Sequence, residues 1–120
     1  MSEIERKHTN ARMSKIVKHG GLIYLCGQTA GGGAHAEADI TVQTAETLLR
    51  VQDLLAEAGS ERGRILTATI YLRNIGDFAA MNAVWESWIP SGAAPARTTV
   101  EANLALPSLL VEVTVTAAVP

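Results

Sequence analysis

A single cysteine, Cys26, stands among the 120 residues. It excludes an intramolecular disulfide framework and fits a reducing compartment. Lysine and arginine form no run and the formal charge is −2, so the chain carries no basic field for nucleic acid. No apolar stretch approaches the ~20 residues that a membrane helix needs. Residues 1–8 lack the apolar core of a signal peptide. These absences point to a cytoplasmic protein with neither a membrane nor a nucleic-acid partner. His8, His19 and His35 show no ligand spacing and Cys26 has no partner for a zinc site, so no metal is implied. Gly31, Gly32 and Gly33 lack both the dinucleotide spacing and a Gly-Lys-Ser/Thr ending. The segment from Gly27 to Ala38 therefore reads as a mobile connection, not a phosphate loop.

What is present is apolar residues at 48% and charge at only 18%, which fits one globular domain over residues 1–120. Strands are expected at Ile16–Val17 and Leu22–Cys26, split by the turn His19, Gly20, Gly21. A helix from Asp39 to Ala58 follows, with Ala45, Leu48, Val51, Leu55 and Ala58 as its buried stripe. Glu46, Arg50, Asp53 and Glu57 form its solvated face. Asp39 is the expected N-cap and Gly59 the C-terminal stop. Arg64 to Arg73 alternates as a strand, with Leu66, Ala68, Ile70 and Leu72 on one side. Asp77 is expected to cap a second helix, whose Phe78, Met81, Trp85 and Trp88 stripe reads as core and which Pro90 ends. Strands at Arg97–Asn103 and Leu109–Ala117, with Pro107 in the turn between them, close the chain. The order predicts an α+β fold: one sheet with two helices packed on one face. The other face should carry threonines, Arg97 and Glu112, a surface suited to packing against another subunit.

Arg97 and Glu112 are each a lone charge in an uncharged stretch. Arg97 lies in the run from Ala93 to Val100, and Glu112 interrupts Leu109 to Val115. A carboxylate in a buried run costs free energy unless it is paired or solvated. A guanidinium offers a planar fork that binds a carboxylate at two points. One anchoring cation and one basic carboxylate are what hydrolysis of a small acidic molecule requires. Spacing alone also allows a structural ion pair, or a charge that deters aberrant strand pairing. A hairpin register that puts both residues on one face is possible, though sequence does not fix it.

The chain resembles the RidA (reactive intermediate deaminase) family, also called YjgF-like, over nearly its full length. The resemblance rests on Leu25 to Gln28, Asp77 to Asn82, Pro95 to Val100, and Leu110 to Val113. It implies a chorismate-mutase-like fold with a six-stranded mixed sheet, a homotrimer, and sites in the clefts between subunits. It also implies hydrolysis of 2-imino acids to 2-oxo acids and ammonia without a cofactor. On that template Arg97 grips the substrate carboxylate and Glu112 activates the attacking water, while Gly27 and Asn82 line the pocket. Three positions depart from the best-characterised deaminases of the family. Met13 replaces a pocket tyrosine, Thr99 stands where many members have cysteine, and Cys26 stands where serine is common. These departures leave a second reading open, a non-catalytic binder of small 2-oxo or other carboxylates in the same cleft. Nothing resembles a nuclease constellation of paired histidines, acidic metal cluster or basic groove.

Overall fold

The computed structural model describes residues 3–120. The chain runs β1 (Glu5–Thr9), β2 (Ser14–His19), β3 (Leu22–Leu25), α1 (Ile40–Glu57), β4 (Ile65–Leu72), α2 (Phe78–Trp88), β5 (Ala96–Glu101) and β6 (Val111–Ala118). These strands form one sheet in the order β1-β2-β3-β6-β4-β5. β4 and β5 pair in parallel, and every other neighbouring pair is antiparallel. A parallel pair needs a crossover, which α2 supplies. β6 enters between β3 and β4 and pairs antiparallel with both, and the parallel β4–β5 pair makes the sheet mixed.

The helix boundaries follow from local chemistry. Asp39 Oδ1 accepts a hydrogen bond from the Val42 amide at 2.9 Å, the expected N-cap. Gly59 takes φ +84° where α1 ends, and the Ser60 amide donates to Leu55 O at 2.8 Å. Asp77 precedes α2, but its side chain makes no capping bond. A single 3-10 turn, Ile75–Asp77, leads into that helix instead.

Both helices lie on one face and share one core with the sheet. Leu48, Val51 and Leu55 of α1 join Met81 and Trp85 of α2 against Ile16, Ile23, Ala68, Ile70, Val113 and Val115. Each of the Leu, Ile, Val and Met side chains contributes roughly 1.5–3 kcal/mol on burial. Two members of the expected stripes fall outside: Ala45 is exposed, and so is Phe78. On α1 the inner positions go instead to Gln43, Thr44 and Thr47. Gln43 is fully buried because its amide is satisfied. Nε2 donates to Ala38 O and Ser108 O at 3.0 and 2.8 Å, and Oε1 accepts from the Leu110 amide at 2.9 Å.

One strand has no counterpart among the expectations, and three further expectations change. β1, Glu-Arg-Lys-His-Thr, is an edge strand whose outward residues face water, so it carries no apolar alternation. A register shift between Ile65 and Thr67 turns Leu66 outward and buries Ile65, while Ala68, Ile70 and Leu72 keep the expected face. β5 and β6 do not form a hairpin, because β4 lies between them. The segment after Gly27 is pinned rather than loose. Arg50, expected on a solvated face, donates through Nη1 to Thr29 O and Gly31 O at 2.7 and 2.8 Å.

Candidate active site

Glu112 sits on the open face of the sheet. It pairs with Tyr71 of β4, and Tyr71 in turn pairs with Val100 of β5. Those positions alternate with the buried Val111 and Val113, which point to the helices. Beside Glu112 the sheet continues past β3 through a bridge between Gln28 and Val113. Tyr24 pairs with Thr116, so one extra residue lies on the β3 side between the two pairings. That extra residue makes a bulge at Cys26 and Gly27, of the kind that re-aims neighbouring groups next to sites.

The bulge sets Gly27 directly against the Glu112 carboxyl group. A Cβ at Gly27 would fall inside the envelope of Oε2, 3.0 Å from Cδ and 3.1 Å from Thr114 Oγ1. Only glycine leaves the carboxylate its place. Among the described residues Glu112 forms no ion pair. It also lines a recess of about 270 Å³ with Tyr71, Asn103 and Thr114.

Arg97 lies on the other face. It pairs with Ala68, and Ala68 pairs with Val115; both partners are buried under the helices. The guanidinium carbon stands 5.4 Å from the Trp85 ring centroid and 5.8 Å from that of Phe78, both on α2. Burial lowers its pKa and the nearby Glu86 opposes that shift. Arginine starts so high that the group stays cationic at neutral pH. Thr99, two residues on, shares this face. Its hydroxyl and the Asn82 side-chain carbonyl are both buried without a hydrogen-bond partner among the described residues. Buried polar atoms are normally satisfied, so two orphans on the elements that carry Arg97 and its aromatic neighbours mark a place that can receive polar groups.

Arg97 and Glu112 thus occupy opposite faces, against the expectation that one face holds both. β4 separates their strands, and their registers on it differ by the span Ala68 to Tyr71. That places them roughly 10 Å apart across the sheet and roughly 10 Å apart along it. One chain presents two separate clusters: Glu112 with Gly27, and Arg97 with Asn82 and Thr99.

Cys26 lies beside the Glu112 and Gly27 cluster. Burial raises its pKa, and Glu112 adds to the rise, while Lys15 and a hydrogen bond from Gln28 Nε2 oppose it. A raised pKa keeps the group a thiol, the unreactive form. Alkylation of Cys26 by iodoacetamide is therefore expected to accelerate only above the pH typical of free thiols, and Cys26→Ser to leave any activity of the protein unchanged. Rapid alkylation at neutral pH together with loss of turnover in Cys26→Ser would make the thiol a nucleophile. Met13 stands in the β1–β2 turn, 38% exposed, one residue before β2. The adjoining Lys15 carbonyl accepts from the Cys26 amide at 3.0 Å, which puts Met13 at the Glu112 end of the sheet. Tyr71 as a neighbour of Glu112, and Phe78 and Trp85 as neighbours of Arg97, were not legible in the sequence. They depend on strand order and helix placement.

A mixed six-stranded sheet with two helices on one face, bearing an unpaired carboxylate and an aromatic-backed guanidinium, defines a small α+β protein of chorismate-mutase-like fold. Residues 4–119 match the family model described as endoribonuclease L-PSP. The chain belongs to this family, the YjgF/RidA proteins. It is 40% identical over 116 residues to the RutC family protein YoaB of Escherichia coli, covering 97% of this chain and 98% of that one. A RutC family protein of Haemophilus influenzae is 38% identical over 95% of this chain and 97% of its own. A YjgF family member from Neisseria meningitidis superposes with a TM-score of 0.92 at 42% identity, covering 98% and 96% of the two chains.

Proposed function

We propose that the protein hydrolyses 2-imino acids to 2-oxo acids and ammonia, in a cleft to which one copy contributes Arg97 and its neighbour Glu112. The carrying observation is the placement of two unpaired, opposite charges on opposite faces of one sheet. Neither can serve the other within a chain, yet each is set where a second copy can reach it. The open face around Glu112 exposes Tyr24 and Val100 and so offers apolar area to such a copy. A homotrimer satisfies this arrangement with three equivalent clefts.

In that cleft Arg97 holds the substrate carboxylate through two parallel hydrogen bonds. The unsatisfied Thr99 hydroxyl can donate to it, and the Asn82 side-chain oxygen can accept from a donor such as the imine nitrogen. The C=N carbon next to the carboxylate is then fixed in front of Glu112. Glu112 takes a proton from water as the oxygen attacks, the C=N electron pair moves to nitrogen, and Glu112 returns that proton to the nitrogen. The resulting carbinolamine loses ammonia when Glu112 carries the hydroxyl proton to nitrogen. The C–N bond breaks and the carbonyl forms, so water is consumed and the carboxylate returns to its starting state. A ribonuclease reading, which the family description suggests, is disfavoured by the formal charge of −2 and the lack of any Lys or Arg run to hold a polyanionic chain.

The test follows 2-imino acids generated by an amino-acid oxidase and trapped with semicarbazide. The parent protein should lower the trapped imine, and Arg97→Ala or Glu112→Ala alone should not. Co-assembly of the two variants in equal amounts should restore about a quarter of parental activity, because each cleft draws its two residues independently from the mixed subunits. No recovery in verified mixed assemblies would show that one chain supplies both groups and sink the shared cleft.

A further inference from the structure

The recess beside Glu112 is larger than the proposed chemistry requires. At about 270 Å³ it is several times the ~30 Å³ that one water occupies in the liquid. It is walled by Tyr71 and Thr114 on the strands and by Ala102, Asn103 and Leu104 after β5. Tyr71 stands directly across from Glu112 in the β4–β6 pairing, so its ring borders the carboxylate. No cation lines the recess, whereas a phenol, a carboxamide and a hydroxyl do.

The wall after β5 is held in place. Arg73, just beyond β4, donates through Nε to Leu109 O at 2.8 Å and through Nη2 to Leu106 O at 2.7 Å. The Ala102 amide donates to Leu72 O at 2.9 Å, and the Arg73 amide to Leu110 O at 3.0 Å. The segment from Ala102 to Leu110 is thus fastened at both ends and in the middle, and Asn103 is presented on a fixed backbone. Fixed polar groups around a recess read a ligand more sharply than mobile ones, since less order has to be gained on binding.

We propose that this recess is the side-chain subsite and that it selects 2-imino acids carrying a neutral hydrogen-bonding group, such as a carboxamide. The proposal rests on the imine-hydrolase reading for its substrate class. Tyr71 and Asn103 exchange hydrogen bonds with the substrate's side-chain amide. The Glu112 carboxylate repels a charged acid in the same place, and an alkyl chain leaves the phenol and the amide without partners, the situation in which discrimination is greatest.

The experiment compares three probes of similar size: 2-oxosuccinamate (carboxamide), 4-methyl-2-oxopentanoate (alkyl) and 2-oxosuccinate (acid). Binding to the assembled parent protein is followed by calorimetry, and turnover of the corresponding imines by semicarbazide trapping. The carboxamide should lead in both, and Tyr71→Phe and Asn103→Ala should each cut its advantage over the alkyl probe by about fivefold. Equal or better handling of the alkyl probe, or an advantage that neither variant changes, overturns the subsite while leaving the hydrolase reading intact. Carboxamide-selective binding that both variants weaken, without turnover of any imine, supports the subsite and sinks the hydrolase reading. Absence of binding and turnover with all three probes overturns both.

Discussion

Glu112→Gln should lower imine turnover by at least about 10²-fold while leaving affinity for a 2-oxo acid intact, the size expected on losing a general base. The amide has the shape of the carboxyl group and fits the same place against Gly27, so the fold should not respond. It cannot accept a proton from water. The Arg97 half-site is untouched and lies on the other face, so carboxylate binding should persist or tighten slightly, one negative charge having gone. Turnover within threefold of the parent would mean that Glu112 only shapes the cleft. The control is the thermal midpoint, which should move little, because the carboxylate forms no ion pair among the described residues.

Gly27→Ala should be nearly as damaging to activity, with little cost in stability. The added methyl would occupy the space of Glu112 Oε2, so the carboxyl group must swing away. A catalytic group displaced by about 1 Å can lose on the order of 10²-fold in rate. The backbone itself should tolerate alanine, since Gly27 is not among the glycines of positive φ, unlike Gly20, Gly21, Gly32, Gly59 and Gly92. The worst obstruction is the end of the flexible Glu112 side chain, and the Thr114 hydroxyl at 3.1 Å needs to give by only a few tenths of an ångström. Combining Gly27→Ala with Glu112→Gln should add almost no further loss in turnover, because both remove the same function. Additive losses would assign Gly27 an effect of its own, through the backbone of the bulge.

The two substitutions also show which parts of the site could be read in advance. Glu112 announces itself as a charge in an apolar run, and the run does form a strand with a buried face. Gly27 is recognisable through its resemblance to a family motif, but its contact with Glu112 arises from a bulge that no local signal marks. Asp39, Gly59 and Pro90 bracket the helices correctly because capping and termination are decided within a few residues. β1 escaped notice since an edge strand of charged residues lacks the alternation that burial imposes. Arg97 lies on the face opposite to the one expected, for a different reason. Alternation gives the relative direction of neighbours within a strand, so Arg97 and Thr99 do share a face. Which face that is depends on β4 lying between β5 and β6, and strand order is a property of the whole chain. Leu66 failed through one inserted residue, enough to reverse a two-residue period. The inward turn of Gln43 depends on carbonyls as distant as that of Ser108.

The place of β6 in the sheet has a consequence for how the molecule comes into being. β3 and β4 do not pair with each other; each pairs with β6, the last of the six strands in chain order. During synthesis β1, β2 and β3 can assemble as one antiparallel ribbon, and β4, α2 and β5 as a separate crossover unit. Nothing in the sheet joins the two until Val111 to Ala118 has left the ribosome. A chain stalled before that point holds two incomplete pieces with open edges, a form exposed to aggregation. The same strand brings Glu112, so the carboxylate arrives in the act that closes the core, and no partly made sheet can carry it in position.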